Sequence, residues 1–329
     1  MTSLPPPPSE EPGSEFQPVP IGHLFPNTPG GFEIYLRNGG SHILFAKNGE
    51  YFTPRHRALL AEYGVDTVYI HRTEQAHYKE YIRRSLATAL LGQDLTLEEK
   101  SAAFYHNCCG IIRDLIRDKL PNGLADKHGR LFVAYVRDSV EFLSTEAGLA
   151  RLGALMRHDY EVFSHGVHVF VYTVFLLKSL GLPNTTIVQA GVGALLHDSG
   201  KEGIPLSILK KPGRLTPEEM LAVREHPERG VRLCRPLSLS RLAKECVLMH
   251  HEKLDGQGYP RGLAGEDIPL HARIVSLADV YDALTSNRVY AGAVKPFEAL
   301  RIMRHEMAGS FDLDLYKRFV MLLSGAALV

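Results

Sequence analysis

The feature that most constrains the fold is the placement of histidine and carboxylate side chains along the second half of the chain. They lie on several separate segments that have helical periodicity, and not in a single loop. Side chains from separate helices can meet only if the helices pack around a common interior, which is how helical bundles build metal centres. The pattern therefore predicts an all-α second half with a cluster of metal ligands inside it.

The candidate ligands are distributed over five stretches of sequence. Glu161, His165 and His168 are spaced at i, i+4 and i+7, so they share one face of a helix. Taken singly, a histidine is more often an ordinary helix residue, and the joint pattern is what indicates a metal site. The other candidates are His197-Asp198 after the apolar run 187–196, His226 in the helix after Pro217, His250-His251 after segment 242–249, and Asp279 within 274–284.

These residue types suit the hydrolysis of a phosphodiester. That reaction needs a strong nucleophile at neutral pH and neutralisation of the phosphoryl charge, and two metal ions about 3.5 to 4 Å apart provide both through a bridging hydroxide. Asp198 is the candidate bridging carboxylate, because His197 can bind one ion while the two carboxylate oxygens span both. Histidine and carboxylate without thiolate favour iron or manganese over structural zinc, with zinc or nickel binding in vitro as an alternative.

The composition limits the class of partner and the compartment. Lys plus Arg and Asp plus Glu number 37 each, which removes the overall positive field that binding to long nucleic acid requires. No run approaches ~18 uninterrupted apolar residues, and the start lacks the regions of a secretory signal, so we expect no membrane span. The cysteines form no CxxC pair, which fits a reducing cytoplasm.

The chain is predicted to contain a tail and three folded segments, with an α+β fold class overall. Residues 1–20 are rich in Pro, Ser and Glu, which predicts a disordered tail. Residues 21–92 are predicted to form a small α+β accessory or regulatory domain. Residues 93–155 are predicted to be a helical linker or the start of the bundle, from amphipathic patterns at 97–120 and 131–156. Residues 156–329 form the predicted all-α domain.

Local signals in the accessory domain are specific enough to place its elements. Phe32, Ile34 and Leu36 alternate before Asn38-Gly39, a dipeptide that supplies the positive φ of a tight hairpin turn. Residues 54–63 have a helical pattern that Gly64 stops, and residues 66–71 have the pattern of a strand.

From about residue 159 to 323 the chain resembles the HD-GYP family of cyclic di-GMP phosphodiesterases, a branch of the HD-domain metal-dependent phosphohydrolases. The fold that this implies is an HD-GYP helical bundle. The matching motifs are His165-x-x-His168, His197-Asp198-Ser199-Gly200-Lys201, Lys211-Pro212-Gly213, His226-Pro227, His250-His251-Glu252, Asp255-Gly256-Gln257-Gly258-Tyr259-Pro260 and Ala278-Asp279-Val280-Tyr281-Asp282.

The resemblance assigns roles to individual residues. It implies the core metal ligands His165, His197, Asp198, His226, His250, His251 and Asp279. Glu161 resembles the members that bind three metals, so two or three divalent ions are expected. Lys201 would act with Asp198 in catalysis by balancing charge on the scissile phosphate. The candidate substrate contacts are Lys201, Tyr259, Asp282 and Arg288. Asp282 would also orient a ligand or a water, and for His168 we favour a supporting or core role.

The implied activity is hydrolysis of cyclic di-GMP to pGpG and onward to GMP. Ser199 stands where many relatives have Ile, and Ala291 stands where members that bind substrate well often carry Lys or Arg. Because of these departures, a catalytically weak receptor or a partner-binding module remains an alternative function. The resemblance also leaves open a related substrate such as cyclic GMP-AMP. The Gly-Tyr-Pro loop implies a signalling partner, such as a diguanylate cyclase of the GGDEF type. A homodimer is also left open.

Overall fold

A computed structural model of the protein describes residues 14–25, 27–78, 80–82, 85, 124–143, 162–286 and 294–324. The chain divides into two compact units, residues 1–107 and residues 108–329, and each is considered by itself. The predicted helix at 97–120 lies outside the described residues. So do Glu161, Arg288 and Ala291, whose predicted roles therefore stay predictions.

The first unit is a small α+β fold. Its elements are β1 (Phe16–Pro20), β2 (Thr28–Pro29), β3 (Ile34–Asn38), β4 (Ser41–Ala46), β5 (Tyr51–Phe52), α1 (Pro54–Glu62) and β6 (Thr67–His71). One antiparallel sheet has the strand order β1-β6-β3-β4, and β2 pairs with β5 separately. The core of the unit contains the buried residues Phe25, Phe32, Leu60, Val68 and Ile70.

Strand β1 corrects the predicted disordered tail of residues 1–20 at its end, residues 16–20; residues 1–13 lie outside the described residues, and for them it stays a prediction. Phe16 pairs with His71 and Pro20 with Thr67, so the segment is part of the sheet. Gln17 and Val19 are buried, which gives β1 one inward face. The prolines are tolerated because β1 lies at the edge of the sheet, where a missing N–H leaves no ladder bond unmade.

The predicted hairpin turn and helix of the first unit are confirmed, although the turn is centred on Gly39-Gly40 and not on Asn38-Gly39. Gly39 and Gly40 join β3 to β4 with positive φ angles of 55° and 90°, the conformation that a tight hairpin requires. Helix α1 begins after Thr53, whose side chain accepts the backbone N–H of His56, and it is followed by Gly64 at φ 65°.

The described part of the second unit is helical, and its only strand-like pairing is the isolated bridge between Asp255 and Ala264. Its helices are α2 (Leu124–Leu143), α3 (Val162–Ser179), α4 (Asn184–Leu196), α5 (Leu206–Leu209), α6 (Pro217–Arg224), α7 (His226–Leu233), α8 (Arg241–Met249), α9 (Leu270–Thr285), α10 (Pro296–His305) and α11 (Leu313–Leu323). Among these helices, none combines the length and the apolar character that a bilayer crossing requires.

Two of these helices lie in the centre of the unit. Helix α3 is buried on nearly every side from Gly166 to Leu177, and α4 is buried from Ile187 to Leu196 apart from the exposed Gln189. A helix that is apolar around its whole circumference belongs inside a bundle. The end of α4, where His197 and Asp198 follow, is therefore held in the interior.

One boundary differs from the prediction. The helix expected after Pro217 to contain His226 is two helices, because α6 ends at Arg224 and α7 begins at His226 itself. Pro227 explains the break, since proline has no backbone N–H to continue a helix but fits the first turn of a new one. His226 is thereby placed at the start of a helix, where it is completely buried.

Candidate metal centre

The predicted core ligands meet in the interior of the second unit. They come from α3 (His165), the end of α4 (His197, Asp198), the start of α7 (His226), the end of α8 (His250, His251) and α9 (Asp279). They form two groups, and within each group the ligand atoms lie within 4.8 Å of one another. One group is Asp198, His226, His250 and His251, and the other is His165, His197 and Asp279.

Asp198 lies between the two groups. Its Oδ1 is 3.3 Å from Nε2 of His226 and 3.9 Å from Nε2 of His250. Its Oδ2 is 3.6 Å from Nε2 of both His165 and His197. Oδ1 is buried and accepts no hydrogen bond from the described residues, although a buried carboxylate oxygen normally has a partner. The carboxylate has the position of a bridge between two cations.

The ring nitrogens are arranged as acceptors that point at one another. His197, His226 and His250 each place Nδ1 2.7 to 2.9 Å from the carbonyl oxygen three residues earlier, so each Nδ1 carries the proton. Each Nε2 then has a lone pair. The Nε2 atoms of His226 and His250 are 3.1 Å apart, and those of His165 and His197 are 3.3 Å apart. The facing lone pairs of His226 and His250 repel, and a cation between them removes the repulsion. His165 is different, because its Nε2 lies 3.1 Å from Oδ1 of Asp279 and donates to it.

Asp282 fixes the orientation of His165. Its Oδ2 is 2.6 Å from Nδ1 of His165, and its Oδ1 is 2.7 Å from Nδ1 of His168. Because Asp282 is only 2% exposed, this geometry supports the orienting role expected for it and does not support the expected substrate contact. His168 is buried behind Asp282 and holds that carboxylate, as a supporting residue would.

The protonation states favour cation binding at neutral pH. Burial holds the pKa of His197 and His226 below the usual value and that of His250 far below it, and it lowers the pKa of His251 to about 3. These rings are therefore neutral, as metal ligands must be. For His165, burial lowers the pKa, but hydrogen bonds to two carboxylates outweigh burial and raise it to about 9.

The two carboxylates of the site are ionised. Burial alone would raise the pKa of Asp198, but Lys201 and the surrounding histidines hold it well below its usual value. The pKa of Asp279 is likewise held well below its usual value against the effect of burial, chiefly by the hydrogen bond from His165. Apart from His165, which holds a proton at neutral pH before a metal binds, the site presents neutral nitrogens and anionic oxygens, which fits a divalent metal ion. The protein carries a histidine and aspartate metal-binding cluster.

Lys201 is held beside the bridging carboxylate. Its Nζ donates to Oδ2 of Asp198 at 2.5 Å, and the side chain is half-buried. The short 3-10 helix Ser199–Gly203 carries it, and this segment lies against α7. A Cβ on Gly200 would lie 2.0 Å from the carbonyl oxygen of His226, so only glycine permits that approach. Gly200 belongs to the motif His197–Lys201, but its packing role depends on α7, which is distant in sequence.

The loop 255–260 covers one side of the site. The Tyr259 ring stacks on the His251 ring with centroids 4.6 Å apart, and its backbone N–H donates to the His251 carbonyl. A Cβ on Gly258 would lie 2.5 Å from Cα of Glu252, so glycine is needed for the loop to fold against the end of α8. Burial raises the pKa of Tyr259, which keeps the phenol neutral.

Glu252 has a role that was not predicted from the sequence. It follows the histidine pair directly, is 2% exposed, and accepts the backbone N–H groups of Arg261 and Leu263 at 2.7 and 3.0 Å. It therefore ties the far end of the loop to the helix that carries His250 and His251. The signal available in the sequence was an acidic residue inside a segment that must be buried, where it needs donors.

Comparison with known proteins places the second unit in a family. The HD domain family matches residues 161–315. A cyclic di-GMP phosphodiesterase of Pseudomonas aeruginosa is 40% identical over 195 residues, which are 57% of this chain and 46% of that protein. A 3'3'-cGAMP-specific phosphodiesterase of Vibrio cholerae is 37% identical over 152 residues, which are 46% of this chain and 33% of that protein.

A solved structure agrees with the architecture. An HDG"Y"P protein of Bdellovibrio bacteriovorus superposes with a TM-score of 0.67 and 19% sequence identity, covering 94% of this chain and all of that one. At this identity the likeness concerns the fold. The chain spans less than half the length of the curated relatives just described. Residues 161–315, which contain the motifs that build the metal centre, match the HD domain family and are similar in sequence to cyclic-dinucleotide phosphodiesterases.

Proposed function

We propose that the second unit is a metal-dependent phosphodiesterase that hydrolyses a cyclic dinucleotide, with cyclic di-GMP as the first substrate and pGpG and then GMP as products. The observation that carries the proposal is Asp198, whose two oxygens face two separate groups of ligand atoms. A two-cation site of this kind suits phosphodiester hydrolysis. The phosphodiesterases named among the similar proteins support the same reaction.

Each residue would contribute in a defined way. The bound ions would supply an activated water and neutralise charge on the phosphoryl oxygens. Asp198 would hold the two ions at a fixed separation, and Asp282 would keep His165 in its ligating orientation. Lys201 would place a positive charge where negative charge develops on the phosphate. Tyr259 would contact the substrate at the edge of the site, and Arg288 would bind a phosphate.

Iron or manganese is the proposed metal, because every donor in the two groups is a nitrogen or an oxygen and none is a thiolate. The two groups account for two ions. We propose Glu161, one helical turn before His165 in the sequence, as a ligand of a third. Metal analysis of wild type and Glu161→Ala tests this: the variant should lose one ion and keep two. A wild type with only two ions at full occupancy would contradict it.

Cyclic GMP-AMP is the second candidate substrate, because a similar protein is named as specific for it. The decisive experiment incubates protein that has been loaded with metal anaerobically with each cyclic dinucleotide and identifies the products. We expect linear dinucleotide from cyclic di-GMP at the highest rate. A higher rate with cyclic GMP-AMP would change the substrate, and tight binding without any product would make the protein a receptor.

The remaining proposals concern partners and location. Asp255 and Gln257 in the loop 255–260 are exposed, and we propose that this surface binds a GGDEF-type cyclase. Co-purification with such a protein, lost in Gln257→Arg, would support this.

We propose a reducing cytoplasm as the location, since Cys234 and Cys246 are buried free thiols. A homodimer is a further proposal, which the molecular mass in solution tests.

A further inference from the structure

An arginine outside every predicted role lies at the edge of the metal centre. Arg224 is the last residue of α6, two residues before the buried His226. Its guanidinium carbon is 5.4 Å from the centroid of the Tyr259 ring, at cation–π distance. The same ring stacks on His251. Arg224 therefore touches the aromatic side chain that borders the candidate ligands.

Arg224 differs from the neighbouring arginines in having no carboxylate partner. Arg229 pairs with Glu225 at 2.7 Å and Arg232 pairs with Glu228 at 3.7 Å, so the acidic residues nearest in sequence are already engaged. Within the described parts of the chain, no carboxylate lies within 4.0 Å of the Arg224 side chain, which is exposed. Its hydrogen-bond donors are thus available to a ligand at the edge of the site.

The chemistry of a cyclic dinucleotide supplies a partner for this charge. The molecule has two phosphodiester groups, each with one negative charge, and only one of them can react at the metal centre at a time. Lys201 is beside Asp198 at the centre itself, where it serves the reacting phosphate. The second phosphate needs a separate cation some distance away, and a guanidinium binds a phosphate through two parallel hydrogen bonds. Arg288, which is also proposed to bind a phosphate, lies outside the described residues, whereas Arg224 lies at the edge of the site.

We propose that Arg224 is a substrate-binding residue that holds the second, non-reacting phosphate of the cyclic dinucleotide. Its contact with Tyr259 places the guanidinium beside the ring that is proposed to contact the substrate. This inference rests on the proposed function, because it assumes a substrate with two phosphodiester groups. It gives the site a means of selecting a dinucleotide over a simple phosphodiester.

The test compares two substrates that differ in the second phosphate. Bis(p-nitrophenyl) phosphate has a single phosphodiester group, whereas cyclic di-GMP has two. We expect Arg224→Ala to raise the KM for cyclic di-GMP about 10- to 100-fold, the range for loss of a charged hydrogen bond. Hydrolysis of bis(p-nitrophenyl) phosphate should not change. Arg224→Lys should give an intermediate KM, and Arg232→Ala, which removes an exposed arginine from α7, is the matched control.

Binding measurements separate this inference from the proposed function. Titration of cyclic di-GMP into metal-loaded Lys201→Ala, with and without Arg224→Ala, reports binding in the absence of turnover. If binding to Lys201→Ala depends on Arg224 and the metal-loaded wild type never hydrolyses the ligand, this inference is kept and the proposed function is overturned. Equal losses with both substrates, or an unchanged KM for cyclic di-GMP, would overturn the role of Arg224 alone. No binding of any cyclic dinucleotide would overturn both.

Discussion

The buried polar groups around Tyr81 in the first unit and those of the metal centre in the second unit are partnered in opposite ways. In the first unit, the hydroxyl of Tyr81 accepts the backbone N–H of Phe25 at 2.7 Å and lies 2.7 Å from Oγ1 of Thr28. The hydroxyl of Tyr78 is 2.6 Å from Nδ1 of His23. Donors and acceptors therefore meet in pairs, and the protein itself satisfies them, as is usual for buried polar groups.

In the second unit, acceptors meet acceptors. The Nε2 atoms of His226 and His250 face each other, and Oδ1 of Asp198 lies among them without a donor. Such an arrangement is costly unless a cation completes it. Buried polar residues therefore mark a binding site when acceptors face acceptors and the protein supplies no donor or cation between them. Balanced networks, as around Tyr81, serve the fold.

The largest effect should follow from removing the carboxylate that the two ligand groups share. We expect Asp198→Ala to lose turnover completely and to lose metal at the same time, because one side chain faces both groups. Metal content and hydrolysis are measured on the same sample. Asp314→Ala, which changes an exposed aspartate paired only with Lys317, is the control. A variant that keeps its metal and most of its rate would show that Asp198 is not a bridge.

The next effect separates catalysis from metal binding. Lys201→Ala should keep its metal but lose about 10²- to 10³-fold in kcat, because the ammonium stabilises charge on the phosphate and is not a ligand. Metal analysis and kcat are the measurements, with the exposed Lys317→Ala as control. If the metal leaves together with the lysine, the charge of Lys201 serves the site and not the substrate.

A smaller effect is expected from the residue behind the ligands. Asp282→Asn keeps the shape of the side chain but weakens its hold on His165, so we expect metal affinity to fall about 10- to 100-fold. A competing chelator measures the affinity. Asp312→Asn is a matched control, since Asp312 caps α11 and Arg273 is its ion-pair partner. Unchanged affinity would mean that packing alone orients His165.

The pH dependence of metal binding should report His165. The raised pKa, about 9, means that the metal-stripped protein holds a proton on His165 at neutral pH, and binding must displace it. Affinity should therefore rise about tenfold per pH unit from pH 7 and level off near 9. The other four histidines have lowered pKa values and release no proton in this range. A flat affinity from pH 7 to 9 would contradict this assignment.

The smallest effect on the metal centre should come from the balanced network of the first unit. Tyr81→Phe removes the acceptor for the Phe25 amide, and we expect a loss of about 1 to 3 kcal/mol in local stability. Hydrogen exchange at Phe25 should accelerate, while metal content and hydrolysis stay at wild-type levels. Tyr63→Phe, at an exposed position, is the control. A fall in metal content in Tyr81→Phe would show that the two units are coupled.

Much of the fold could be predicted because its signals are local. The turn at Gly39, the start of α1 at Thr53 and the helical periodicity of the second unit depend on residues within a few positions of each other. Strand β1 could not be predicted in this way. Its composition is that of a tail, and it is ordered by pairing with β6, more than 45 positions away in the chain.

For the site, the sequence by itself determined which residue types are present and on which helices they lie. Periodicity and motif spacing were enough to identify His165, His197, Asp198 and Asp279 as candidates. Only the tertiary structure decided which of these residues belong to the same ligand group. The two ligand groups, the central position of Asp198 and the pairing of Asp282 with two histidines depend on how α3, α4, α7, α8 and α9 pack.

The same distinction explains what was missed. Gly200, Glu252 and Arg224 have roles that depend on residues distant in sequence: the start of α7, the loop after α8 and the ring of Tyr259. Sequence spacing shows which residues are neighbours within one helix or strand. The close approach at Gly200 and the contact of Arg224 with Tyr259 depend instead on how different elements pack against each other. The sequence therefore showed which chemical groups are present. The packing of the helices decided which of these residues are ligands, which support the ligands and which face the substrate.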